Sequence, residues 1–173
     1  SERAGFSAAD PAQQADINHS FEPSPSPGRE PWPMANLQCK SNVLRHFAQR
    51  VPKRPYATDN PGEGMWRQAK SYALKAKYVQ PQDEMLWCMC FDCDHGGAYW
   101  AAEDGVLPLP NLKILNPDNG RGHLIYYLAS PVPRTDAARR LPLNFLAKIE
   151  RGLCCRLDAD PQYVGLIVKN PLN

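Results

Sequence analysis

The chain has 173 residues, with 20 Lys and Arg against 18 Asp and Glu, which gives a formal net charge of +2. This near-neutral balance excludes a protein whose whole surface is committed to an anionic partner. No stretch approaches the roughly 20 apolar residues of a membrane-spanning helix, and the N-terminus lacks the apolar region of a signal peptide. We therefore expect a protein that makes no use of a membrane.

Residues 1–33 differ in composition from the rest of the chain. They are polar and rich in proline, with Pro-Ser-Pro-Ser-Pro at 23–27 and Pro-Trp-Pro at 31–33. They show no periodicity that would favour a helix or a strand. We predict a disordered leader or a non-native extension, with Met34 as a candidate natural start, and one folded domain over residues 34–173.

The first part of that domain predicts two helices separated by a loop. Ser41 is a suitable N-cap for a helix that ends before Pro52 and buries apolar residues such as Phe47. Residues 53–64 read as a loop, and apolar residues at helical spacing predict a second helix over 65–79. Eight basic residues lie between Val43 and Lys77, and they favour either a solvated helix face or a surface that follows phosphates: Arg45, Arg50, Lys53, Arg54, Arg67, Lys70, Lys75 and Lys77.

The second part predicts mostly strands. An apolar run predicts a buried strand over 85–94, and the Asn-Pro-Asp-Asn-Gly turn at 116–120 joins predicted strands at 112–115 and 123–128 into a hairpin. A helix over 142–156, with Pro142 in its first turn and Leu146, Ile149 and Leu153 buried, precedes a last strand at 164–168. The order of elements predicts an α+β fold with a mixed or antiparallel sheet flanked by helices.

The strongest chemical signal is the pair Asp92 and Asp94 at the end of the buried strand. Side chains on a strand alternate between its faces, so both carboxylates should project from the same face. A carboxylate beside an apolar core is costly unless it is paired or binds a cation. Aspartate oxygens suit hard cations, so we predict a site for Mg²⁺ or Mn²⁺. The alternative is a solvated strand end.

The six cysteines favour a reducing compartment over a disulfide framework, because three lie in one strand and two are adjacent. Cys90, Cys93 and His95 have spacing that suggests zinc. However, residues 90 and 93 of an extended strand face opposite ways, so packing in the core is the preferred interpretation.

Two further clusters carry polar residues. His123 follows Asn119, Gly120, Arg121 and Gly122, a turn whose backbone can approach a ligand closely. An imidazole and a guanidinium at the mouth of one strand suit a triphosphate. Asp158 and Asp160 lie between the last predicted helix and strand, where either carboxylate can complete a metal site or simply occupy a turn.

Five segments, in chain order, carry a resemblance to a known family. They are residues 50–56 (RVPKRPY), 91–94 (FDCD), 116–124 (NPDNGRGHL), 149–154 (IERGLC) and 163–171 (YVGLIVKNP). Over residues 42–173 the chain resembles the replicase (Rep) proteins of ColE2-type theta-replicating plasmids, which belong to the archaeo-eukaryotic primase superfamily. The resemblance covers the catalytic part, and in the family a C-terminal region that recognises the plasmid origin follows.

This resemblance implies a primase-polymerase fold with an RRM-like core, and a DNA-directed RNA primase that makes a short primer from nucleoside triphosphates at the plasmid origin. It implies that Asp92 and Asp94, with Asp160 or Asp158 as the third carboxylate, hold Mg²⁺ or Mn²⁺. His123 and Arg121 would contact the nucleotide, together with Lys169 and Asn170. The expected partners are origin DNA, nucleoside triphosphates and a host DNA polymerase.

Two other functions remain open from the residues alone. One is an origin-binding initiator module whose carboxylates are structural. The other is a different Asp-x-Asp metal enzyme, either a glycosyltransferase that uses a nucleotide-sugar or a nuclease.

Overall fold

The computed structural model describes the backbone of residues 37–173 and the side chains from Asn42 onward. The predicted leader at 1–33 lies outside the described residues. Within this part of the chain, no helix is long and apolar enough to cross a membrane.

The first helix, α1, spans Leu37–Arg50. It begins earlier than predicted, so Ser41 lies inside the helix and is not its N-cap. Phe47 and Val51 are buried where the helix meets the sheets, as their spacing predicts. Pro52, which cannot donate a backbone hydrogen bond, follows directly, and it explains why the helix stops at this point.

The predicted second helix over 65–79 is wrong. This stretch contains β2 (Trp66–Arg67), the single-turn helix α2 (Lys70–Ala73) and β3 (Tyr78–Val79). The predicted loop before it contains β1 (Tyr56–Thr58) and a 3₁₀ turn at Pro61–Glu63. β1 pairs antiparallel with both β2 and β3. These pairings provide hydrogen bonds to the backbone groups of segments that lie apart in the sequence. Their contribution outweighs the weak helical preference that the spacing of the apolar residues indicates.

The central strand β4 spans Met85–Cys93, and the short helix α3 spans Ala101–Asp104. β5 (Leu112–Leu115) and β6 (Gly122–Pro133) form the predicted antiparallel hairpin, although β6 is longer than expected. The last helix, α4, spans Arg140–Arg156 and buries Leu146, but Ile149 is exposed, against prediction.

The last strand, β7, is only Val168–Lys169. The predicted strand at 164–168 is therefore mostly wrong. Gly165 has φ +64, outside the extended range. The hydroxyl of Tyr163 donates a 2.6 Å hydrogen bond to the carbonyl of Ile167, which closes this segment into a loop.

The strands of the described residues form two antiparallel sheets, and the fold is α+β as predicted. One sheet has the order β2-β1-β3-β7 and the other β4-β6-β5. The two faces of β4 serve two core clusters, because side chains alternate along it. Cys88 and Cys90 pack with α1 and residues of the first sheet, whereas Phe91 and Cys93 pack with residues of α3 and α4. Asp92 lies on the same face of β4 as Cys88 and Cys90, next to β7.

Candidate active site

The register between β4 and β6 brings the two main chemical motifs together. Asp92 lies directly opposite His123, and Cys93 lies opposite Gly122. Asp94 follows the end of β4, and Arg121 precedes β6. Both carboxylates line one open cleft of about 450 Å³, which we call the carboxylate cleft. Its walls are Pro61, Tyr78, Asp92, Asp94, Asn119, Arg121, Gly122, His123, Tyr163, Ile167 and Lys169.

The turn before β6 holds Arg121 at the edge of this cleft. The backbone N–H of Arg121 donates to Oδ1 of Asn119 at 3.0 Å, and its carbonyl accepts from the backbone N–H of Asn116 at 2.8 Å. Gly120 has φ +70, and a Cβ there would lie 2.5 Å from the carbonyl oxygen of Gly96. Only glycine fits this crossing of two loops. The guanidinium of Arg121 is left exposed.

His123 is buried and has defined partners on both ring nitrogens. The backbone N–H of Lys169 donates to its Nδ1 at 2.8 Å, so Nδ1 is an acceptor and carries no proton. This pattern assigns the ring proton to Nε2, which lies 3.3 Å from Oδ1 of Asp92. The ring of Tyr163 packs against the imidazole with centroids 5.2 Å apart. His123 is therefore directed at the Asp92 carboxylate.

Tyr163 is a cleft residue that sequence reasoning missed. Burial raises the pKa of its hydroxyl well above the usual range, and the hydroxyl donates to Ile167 as described above. The side chain thus covers His123 and fixes the loop that leads into β7. Tyr163 begins the segment 163–171 that carries the family resemblance, but nothing in that segment distinguishes it as a cleft residue.

The backbone of Asp160 contacts that of Asp92, but Asp160 does not line the carboxylate cleft. Its backbone N–H donates to the carbonyl of Asp92 at 2.8 Å, along the edge of β4 not paired with β6. Its Oδ1 accepts from the backbone N–H of Gln162 at 2.8 Å. Asp158 and Asp160 both line a second cleft, of about 820 Å³, beside α4, which shares Tyr163 with the carboxylate cleft. The structure does not bring either carboxylate into the carboxylate cleft.

Asn170 also lies outside the carboxylate cleft. It is buried, and its amide Nδ2 donates to the carbonyls of Leu74 and Ala76 at 2.9 and 2.8 Å. Its Oδ1 accepts from the backbone N–H of Leu172 at 3.1 Å. These three bonds occupy the amide, and the two donated by Nδ2 join the segment after β7 to the segment after α2.

The cysteines form no zinc site in the described part of the chain. Cys90 and Cys93 belong to different core clusters on opposite faces of β4, as predicted. Nε2 of His95 lies 3.1 Å from the carbonyl oxygen of Leu157. Cys88, Cys90, Cys93, Cys154 and Cys155 are free thiols. The pKa of Cys93 is raised to about 12, mainly by burial and secondly by the nearby Asp92 carboxylate. This is expected for a cysteine that packs in the core.

The donor set of the carboxylate cleft fits a hard cation. Among residues 42–173, no three His, Cys, Asp or Glu side chains are grouped so as to hold a metal ion on their own. Mg²⁺, however, is commonly bound through one or two carboxylates, with water and substrate phosphates as the remaining ligands. Asp92, which is about one quarter exposed, and the exposed Asp94 provide such a pair beside two cations.

The fold and cleft define an α+β domain in which two carboxylates share one cleft with Arg121 and Lys169, a charge pattern suited to a nucleotide and its cation. The chain belongs to the Replicase family, whose model matches residues 50–173. This membership supports a role in the initiation of replication. The search of curated proteins and the search of solved structures found no match.

Proposed function

We propose that this domain is the primase of a plasmid replication initiator and joins nucleoside triphosphates into a short RNA primer at the origin. One observation carries the proposal: Asp92 and Asp94 line the same cleft as Arg121 and Lys169. Arg121 is brought there by the β4–β6 register, and Lys169 lies there because its backbone N–H bonds to His123. A nucleotidyltransferase needs carboxylates for its metal ions and cations for the triphosphate, and both occur in this cleft.

Asp92 and Asp94 hold Mg²⁺ or Mn²⁺ in this proposal. When bound, the ion stabilises negative charge on the phosphate oxygens and favours ionisation of the attacking hydroxyl. The exposed guanidinium of Arg121 binds and orients the triphosphate. The ammonium of Lys169, which donates to the carbonyl of Arg121 at 3.3 Å, adds a second positive charge at the same edge.

The resemblance implies that His123 contacts the nucleotide, but in this proposal His123 instead holds Asp92, because its ring is buried and its ring proton points at that carboxylate. The position of Asp160 suggests a related role, since its backbone N–H holds the carbonyl of Asp92 from the other edge of β4. Loop movement on substrate binding would be needed for its carboxylate to serve as the third metal ligand.

The partners follow from the reaction. Origin DNA is the template, nucleoside triphosphates are the substrates, and a host DNA polymerase is the expected user of the primer. The reaction takes place in the bacterial cytoplasm, where these partners are found.

The test is primer synthesis from labelled ribonucleotides on origin DNA with Mg²⁺ or Mn²⁺. The double variant Asp92→Asn, Asp94→Asn should lose synthesis by at least about 100-fold, because each lost charge weakens metal binding, while its circular dichroism spectrum is unchanged. The matched control Asp104→Asn, Asp136→Asn removes two exposed carboxylates elsewhere and should retain synthesis. Undiminished synthesis by the first variant would refute the proposal.

The same assay separates the alternatives. DNA binding without any nucleotide incorporation would favour a non-catalytic initiator. Degradation of DNA in Mg²⁺ without triphosphates would indicate a nuclease, and preferential binding of UDP- or GDP-sugars would indicate a glycosyltransferase.

A further inference from the structure

A second groove, of about 370 Å³, adjoins the carboxylate cleft. The two share Tyr78 and Lys169 as lining residues. These two residues are partners in the antiparallel pairing of β3 with β7, so they form a common wall between the cleft and the groove. We call this second space the lysine groove. A ligand chain that passes over the common wall would reach from one space into the other.

The charge changes across this wall. The carboxylate cleft contains Asp92 and Asp94, whereas none of the described residues that line the lysine groove is acidic. Lys77 lines only the groove, and its exposed side chain adds a positive charge to that of Lys169. The backbone N–H of Lys77 donates to Oδ1 of Asp59 at 2.9 Å. The groove is therefore suited to an anion that extends away from the metal carboxylates.

The groove also offers apolar and aromatic surface. Ile114 and Leu115 of β5 and the ring of Tyr78 line it, and all three side chains are half-buried. The neighbouring Val79 is buried in the core, so alternation along β3 directs Tyr78 to the opposite face. Asn170 also lines the groove, and its amide is held in place by hydrogen bonds to the carbonyls of Leu74 and Ala76. A basic groove with an aromatic platform is the usual arrangement for binding single-stranded nucleic acid.

We propose that the lysine groove binds single-stranded DNA, with phosphates beside Lys77 and Lys169 and a base stacked on Tyr78, and that the strand continues into the carboxylate cleft. This inference rests on the proposed function, because it places the strand as the template of that cleft. DNA is chosen over RNA because the chain belongs to a replication family. The inference also singles out Lys77 among the eight basic residues of the stretch from Arg45 to Lys77. By contrast, Arg50 lines a pocket with Asp83 and Glu84.

The test is fluorescence anisotropy of a labelled 12-nucleotide oligo-dT at several salt concentrations, using the whole chain. Tyr78→Ala should weaken binding about 5- to 100-fold, since one stacked base contributes roughly 1–3 kcal/mol, and Tyr78→Phe should retain it. Lys77→Gln should weaken binding severalfold and reduce the slope of log affinity against log salt by about 0.7, the value for one phosphate of a single strand. Lys148→Gln, an exposed lysine of α4 that removes the same charge, is the matched control.

Three outcomes would overturn the inference. The first is equal loss of affinity in Lys77→Gln and Lys148→Gln, which would indicate an effect of net charge only. The second is full binding by Tyr78→Ala and Lys77→Gln. The third is tighter binding of oligo-U than of oligo-dT with the same dependence on Lys77, which would assign the groove to the primer strand.

The result can be separated from that for the proposed function. Lys77→Gln should bind Mn²⁺ and nucleoside triphosphate normally, because Lys77 does not line the carboxylate cleft. The double variant Asp92→Asn, Asp94→Asn should bind oligo-dT at least as well as the parent chain. If the parent chain synthesises primers but Lys77→Gln and Tyr78→Ala bind DNA as well as it does, the proposal for the lysine groove is refuted and the proposed function is not.

Discussion

The backbone N–H of Lys169 donates a 2.8 Å hydrogen bond to Nδ1 of His123. This bond joins β7, in one sheet, to β6, in the other, and it decides which ring nitrogen carries the proton. With Nδ1 occupied as an acceptor, Nε2–H faces Asp92 at 3.3 Å. A backbone group more than 40 residues away in sequence thus orients a carboxylate of the candidate active site.

We predict that His123→Gln retains more function than His123→Asn. A glutamine amide can still reach Asp92 as a donor, whereas an asparagine can only replace the acceptor for Lys169. Loss of a partner that orients a metal ligand typically costs about 10- to 100-fold in metal affinity. Mn²⁺ titration calorimetry should show this loss for Asn and a smaller one for Gln. In the parent chain, ¹⁵N NMR of the imidazole should show the Nε2–H tautomer. Equal metal affinity in the parent and Asn variants would contradict this role.

We predict that Gly122→Ala strongly destabilises the fold. A Cβ at Gly122 would lie 2.1 Å from the carbonyl oxygen of Ile114, on the paired strand β5. The strands must separate to accept it, at a cost of about 1–3 kcal/mol or more. Urea unfolding measures the free energy of unfolding.

The matched control for this change is Gly152→Ala in α4, where an added Cβ meets nothing within 4 Å. It should stabilise the protein by about 0.5–1 kcal/mol, because alanine loses less backbone entropy in a helix. Similar effects from the two substitutions would contradict the β5–β6 pairing at Gly122.

Tyr126 and Tyr127 should respond oppositely to removal of their hydroxyl groups. The hydroxyl of Tyr126 is buried with no hydrogen-bond partner among the described residues. The hydroxyl of Tyr127 donates to the carbonyl of Val43 at 3.0 Å. Tyr126→Phe should therefore be neutral or stabilising, whereas Tyr127→Phe should cost about 1 kcal/mol.

The pH dependence gives a second measurement at Tyr126. Burial, followed by the nearby Cys93, raises its pKa to about 12 from the ordinary value of 10.0. The folded state thus disfavours the phenolate, whereas the unfolded chain ionises near pH 10. The free energy of unfolding is therefore unaffected by this group below pH 10, and it falls as the pH rises from about 10 to 12. Tyr126→Phe should flatten the fall of the unfolding free energy in that range. An unchanged slope would show that the phenol ionises as freely in the folded chain as in the unfolded one.

Asn170 should prove structural and make no contribution to nucleotide binding. Asn170→Ala leaves two buried carbonyls and one N–H without their partner, so it should lower the free energy of unfolding by roughly 1–3 kcal/mol. Asn170→Asp should be worse, because a carboxylate would face the carbonyls of Leu74 and Ala76. Nucleotide affinity, measured with the folded protein, should be unchanged in the alanine variant. A large loss of affinity without loss of stability would restore the nucleotide-binding role implied by the family resemblance.

Local patterns predicted the elements whose residues interact mainly with neighbours in sequence. The apolar run of β4, the hairpin around the Asn116 turn and the last helix α4 were all found from periodicity and turn chemistry. The wrong predictions are the helix over 65–79 and the strand at 164–168. In these segments, two-residue strands form only by pairing with strands far away in the chain. Ile149 has the spacing of a buried helical residue, yet it is 37% exposed in the part of the chain that the structure describes.

The sequence by itself determined that Asp92 and Asp94 share a face, since alternation along a strand is a local property, and the ordered motifs indicated a replication family. Only the tertiary structure decided which other groups share their cleft. Strand register placed His123 opposite Asp92, and the pairing of β3 with β7 brought Lys169 and Tyr78 alongside. It also directed Asp160 into a different cleft and occupied the amide of Asn170. Such outcomes depend on contacts between distant segments, which no local pattern of residues encodes.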